Sequence, residues 1–173
     1  MRFALEYPQR VERLILANTA ARTSAWLRDI GHCWNAAAAT GDGRLYYLTA
    51  IPVIYSTEFY ESHAEWMKAR EKTLVPYFSQ PEVLSALVRL TDSAENYDVT
   101  ARLGEISCPT LIISAQSDII TPITEQNLLH ACIKDSKHVI INDSGHASMY
   151  EQPAVFAALV LGFANQAETR YEI

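Results

Sequence analysis

Asp118 and His146 are the two residues of this sequence whose types and settings could do chemistry together. Each stands in a loop that follows an apolar run. Leu111 to Ile113 continues through Ser114-Ala115-Gln116-Ser117-Asp118, and Val139 to Ile141 through Asn142-Asp143-Ser144-Gly145-His146. A carboxylate that accepts the imidazole Nδ1 proton fixes the tautomer and leaves Nε2 free to act as base toward a nucleophile. Taken singly, each residue has a plainer reading, the Asp as a turn residue and the His as a solvated loop side chain. Thr121 reads as the cap of the next helix, which frees Asp118 from that task. Asp143 is read as shaping the turn around Gly145, and Asp98 as structural. Glu58, Glu61, His63 and Glu65 read as a solvated acidic helix face with no second His at ligand spacing, so neither a metal nor a cofactor is expected.

For Asp118 and His146 to meet, their loops must leave neighbouring parallel strands in the same direction. Three runs rich in Leu, Ile and Val qualify as buried parallel strands: Leu14 to Ala17, Leu111 to Ile113 and Val139 to Ile141. Between the second and third, Thr121 and Pro122 open a helix carrying Leu128, Leu129 and Cys132 at helical spacing. Pro153 opens another through Phe156, Leu159, Val160 and Phe163. Met1 to Tyr7 has helical character and stops at Pro8. Strand, helix, strand, helix in this order predicts a parallel βαβ arrangement. From about Arg22 to Thr100 the composition changes, with 11 of the 17 aromatics and helical periodicity. Gly41, Gly43, Pro52, Pro76 and Pro81 punctuate that block into four or five helices. The division expected is 1–21 and 101–173 for a sheet-bearing core, with 22–100 as a helical insertion over one end of the sheet.

Composition narrows the partners. A net charge of −6 over 173 residues, with 49% hydrophobic positions, describes one globular domain without the basic footprint that nucleic acid or an anionic membrane rewards. Ala154 to Ala164, the longest apolar run, falls short of the roughly 20 residues needed to span a bilayer. Cys33, Cys108 and Cys132 are an odd number without C-x-x-C spacing, which predicts buried, reduced thiols and a cytoplasmic chain.

These segments together resemble the C-terminal part of the α/β-hydrolase family, over nearly the whole chain. E-Y-P-Q-R-V-E-R-L-I-L-A-N-T is similar to the end of the helix after the nucleophile followed by strand six. C-P-T-L-I-I-S-A-Q-S-D-I-I-T-P is similar to strand seven with its acid, and D-S-G-H-A-S-M-Y-E-Q-P-A-V-F to the histidine loop and final helix. The fold so implied is α/β: a parallel sheet fragment, strands six to eight, with an inserted helical cap. The resemblance implies Asp118 as acid and His146 as base of a Ser-His-Asp type triad acting on a small-molecule ester or lactone. The N-T-A-A-R continuation and the cap look most like the enol-lactonase and esterase branch, and cap aromatics could line an acyl or lactone pocket.

The nucleophile elbow G-x-S-x-G occurs nowhere in the sequence. Ser114, Ser117, Ser144 and Ser148 lie near the expected site, but none is on a strand-turn-helix flanked by small residues. The isolated chain is therefore expected to be inactive. The alternative is a non-catalytic module, derived from a hydrolase, that binds a ligand or complements another chain. In the family the strand 14–17 is interior. Its outer edge here is expected to pair with a second copy or with an N-terminal complementing half, since it carries no edge protection beyond a terminal charge.

Overall fold

The apolar runs form three strands, β1 (Leu14–Ala17), β2 (Thr110–Ala115) and β3 (Ser136–Ile141), in a wholly parallel sheet of order β1-β2-β3. This computed structural model describes residues 1–165, so the end of the expected 101–173 segment lies outside the described residues. Leu14 pairs with Thr110 and Ala17 with Ile113, while Thr110 pairs with Ser136 and Ala115 with Ile141. All six residues of β2 are buried, as a central parallel strand covered on both faces must be.

Alternate side chains of β2 face opposite ways. Ile112 joins Leu16, Leu129 and Ile133, which places helix α7 (Ile123–Cys132) on one face. Leu111 and Ile113 join Ile141 and Phe163, which places α9 (Pro153–Ala164) on the other. Pro153 stands at the first turn of α9, where a missing N–H costs nothing. The short α1 (Arg2–Glu6) precedes β1, and α8 (Ser148–Glu151) directly follows the His146 loop.

Between β1 and β2 run five helices: α2 (Ala25–Ala39), α3 (Gly43–Ala50), α4 (Thr57–Ser62), α5 (Ala64–Phe78) and α6 (Pro81–Ala94). Three have side-chain caps: Ser24 accepts from the Leu27 N–H, Asp42 from those of Arg44 and Leu45, and Ser56 from that of Phe59. Tyr46, Tyr47, Tyr55, Met67 and Phe78 form a core of their own, so most aromatics of this block pack among themselves.

Three sequence expectations need correction. Pro76 does not end a helix; it sits in the last turn of α5, which stops two residues later. Thr121 does not cap α7, whose N-cap is Pro122 with no side-chain bond, because the Thr121 hydroxyl is turned to Asp118 instead. Cys33 is exposed rather than buried, since it falls on the outer side of α2, while Cys108 is buried and Cys132 half-buried. All three thiols are free.

Candidate active site

At the carboxyl edge of the sheet the chain leaves β2 into a tight turn. Asp118 Oδ1 accepts the N–H groups of Ile120 and Thr121 at 2.8 and 2.9 Å, and Oδ2 accepts the Thr121 hydroxyl at 2.8 Å. The fourth donor is His146, whose Nδ1 lies 2.8 Å from Oδ2. A carboxylate can only accept, so Nδ1 carries a proton, and in the neutral ring that leaves the lone pair on Nε2. Asp118 thus does the turn work that the sequence assigned to Thr121, and it holds the imidazole with its remaining valence. Its side chain is 1% exposed, whereas that of His146 is 29% exposed. The carboxylate is sealed and the imidazole reaches solvent.

The histidine loop is held from three sides. Asn18, at φ 43° just beyond β1, donates its side-chain amide to the His146 carbonyl at 2.6 Å and to Ser148 Oγ at 2.8 Å. Asp143, at φ 50°, turns the chain, and its N–H donates to Gln116 Oε1. Ala147 N–H donates to the Ile54 carbonyl, and the Glu151 carboxylate accepts the Ser56 N–H at 3.0 Å and its hydroxyl at 2.5 Å. Asn18, Ser56 and Glu151 were not singled out in the sequence. Asn18 alone carried a signal, as a polar residue at the carboxyl end of an apolar strand.

Of the serines near the pair, Ser114, Ser144 and Ser148 are buried and Ser117 is exposed. Ser114 Oγ lies 2.6 Å from His138 Nε2 on the face of the sheet toward α7. Ser144 and Ser148 are fully buried, and the Ser117 N–H donates to the Ser144 carbonyl. Asp98 accepts the Thr100 N–H, which holds its carboxyl below the usual range, and it is structural as expected. No group of three or more metal-ligating side chains occurs among the described residues. Beside the site, a cleft of about 340 Å³ runs between α2 and α6, with Leu27, Trp34 and Leu90 in its wall and Asn18 and Thr121 at its floor.

A parallel sheet with a buried carboxylate and a half-buried imidazole paired at its carboxyl edge is the arrangement to compare with known folds. A family profile described as TAP-like protein matches residues 88–170. The chain is 26% identical over 162 residues to RutD of Escherichia coli O127:H6, described as a candidate carbamate hydrolase, covering 93% of this chain and 59% of that protein. The crystal structure of MGS-M2, an alpha/beta hydrolase enzyme from a Medee basin deep-sea metagenome library, superposes with a TM-score of 0.95 at 48% identity. That match covers 99% of this chain and 62% of the other. A thermophilic esterase from Thermogutta terrifontis superposes at 0.75 with 26% identity, over 96% and 60% of the two chains. The chain corresponds to the C-terminal part of the α/β-hydrolase fold. It spans about 60% of the length of these relatives.

Proposed function

We propose that this chain supplies the acid and the base of an ester- or lactone-cleaving hydrolase, with Asp118 orienting His146 and the serine nucleophile lying outside these 173 residues. The observation that carries the reading is the 2.8 Å bond from His146 Nδ1 to Asp118 at the open edge of the sheet. In the intact site, His146 Nε2 would take the proton of a serine hydroxyl as its oxygen bonds to the substrate carbonyl carbon. The same proton would then go to the departing alkoxide, and water, activated in turn by Nε2, would release the acyl group. Residues 22–100 would act as the cap, with the cleft between α2 and α6 taking the apolar part of a small ester or lactone. Ester substrates draw support from the likeness to the Thermogutta esterase. The three free thiols fit a cytoplasmic chain. The unpaired outer edge of β1 would join a second copy or a complementing half that carries the nucleophile.

The sequence's lack of G-x-S-x-G favours a second reading, a non-catalytic module binding a ligand or another chain. A fluorophosphonate probe and a short-chain aryl ester separate the two. The chain alone is expected to show neither serine labelling nor turnover. Mixed with the part of MGS-M2 that precedes the matched region, it should gain turnover that His146→Ala abolishes. Turnover by the chain alone that depends on His146 would place the nucleophile within it, and failure of the mixture to turn over ester would favour the module.

A further inference from the structure

We infer that the cap segment Ile54–Ser56 positions His146 through a clamp between Ser56 and Glu151. This rests on the reading of His146 as the base. Glu151 is a buried carboxylate five residues past His146, and the Asp118–His146 pair makes no use of it. Both its oxygens are bound to one residue of the cap: Oε1 to the Ser56 N–H and Oε2 to the Ser56 hydroxyl. Ser56, 2% exposed, also accepts the Phe59 N–H, so the same hydroxyl starts α4 and reaches the core. Between the two partners the Ala147 N–H donates to the Ile54 carbonyl. On the other flank of His146, a Cβ on Gly145 would meet Ser56 N, Tyr55 C and Glu151 Oε1, so the loop backbone lies directly against residues 55–56.

His146 is therefore bracketed. Gly145 before it and Ala147 after it both touch residues 54–56, and the clamp on Glu151 closes the bracket. A second tie runs parallel to it. The Arg70 guanidinium of α5 lies 4.7 Å from the Tyr150 ring of α8 and 5.8 and 5.2 Å from the rings of Tyr55 and Trp66. Such contacts strengthen where water is excluded, and burial pushes the Tyr55 phenol up to about 12, so that ring stays neutral beneath the cation. The imidazole is held at Nδ1, by Asp118 at 2.8 Å with the Thr121 hydroxyl at 3.4 Å, and about that point it can still rock. A backbone fixed on both sides sets where the ring is attached and so limits that rocking. Ser56 and Glu151 are positioning residues: they act on the imidazole through the backbone that carries it.

The test reads the imidazole itself, by nitrogen-15 NMR of the full chain. In wild type His146 should show the Nδ1–H tautomer with a slowly exchanging proton. In Ser56→Ala and Glu151→Ala that proton should exchange faster by about tenfold, equivalent to about 1.4 kcal/mol, the scale of one lost hydrogen bond to a charged group. Glu151→Gln, which keeps one acceptor oxygen for Ser56 and loses the other, should fall between wild type and Glu151→Ala. Unchanged His146 signals in folded Ser56→Ala or Glu151→Ala would overturn the inference. So would collapse of the fold in both, since the pair would then be merely structural. Asp118→Asn separates the underlying reading: if wild type lacks the Nδ1–H tautomer, or Asp118→Asn leaves it unaltered, His146 is not the oriented base and that reading falls first.

Discussion

His138 is a titratable side chain on which burial and a neighbouring ring both act. Ser114 Oγ lies 2.6 Å from its Nε2 on one side, while His130 of α7 faces it with ring centroids 5.8 Å apart. Burial, and then the neighbouring imidazole, hold it below the ordinary value of 6.5. The unfolded chain takes up this proton near 6.5 and the folded chain only at lower pH, so unfolding binds a proton in that window. Stability should be full above 6.5 and be lost as the pH falls through it toward the folded value. Urea midpoints taken from about pH 8 to about pH 5.5 should decline in wild type and decline less in His138→Gln. Equal slopes would show that His138 does not drive the loss. Asp118 and His146 were legible in the sequence because each ends a loop after an apolar run. The bonds that hold their loops were not, since Ser56 and Glu151 meet across 95 residues.

Two glycines show what the elements demand of single positions. Gly145 belongs to the turn between β3 and α8, and the cap backbone fills the place of its missing side chain. Gly145→Ala should cost about 1 to 3 kcal/mol, the usual range for overpacking, because the atoms in the way are backbone and cannot yield cheaply. Gly162, inside α9, has open space around its Cβ position and ordinary helical backbone. Gly162→Ala should stabilise by about 0.5 to 1 kcal/mol through reduced freedom of the unfolded chain. Chemical denaturation of both variants gives the two signs, and equal effects would contradict this account. The helices themselves were readable from apolar spacing, capping residues and Pro153. Thr121 misled because a threonine before a proline suits a cap, and only the fold turned its hydroxyl toward Asp118.

For the whole molecule the outer edge of β1 matters most. Among the described residues β1 pairs only with β2, and Leu14-Ile15-Leu16-Ala17 carries no proline or charge to discourage a further strand. No helix among the described residues is long and apolar enough to cross a membrane. On the reading proposed above, this edge takes up a second copy or a complementing half. Sedimentation of the chain at micromolar concentration should show a dimer, and replacing Ile15 by proline should return it to monomer. A monomeric wild type that also fails to bind the N-terminal part of MGS-M2 would remove this proposal.

The sequence by itself determined the βαβ rhythm, the helical block between its first two strands, and the loop positions of Asp118 and His146. Each of these rests on local spacing: apolar runs for strands, helical periods for helices, and loop position for Asp118 and His146. Only the tertiary structure decided that Asp118 has four donors, that Asn18 reaches the His146 carbonyl across 128 residues, and that Ser56 meets Glu151. Such contacts leave no periodic trace, because a polar side chain that finds its partner through folding looks in the sequence like any other loop residue.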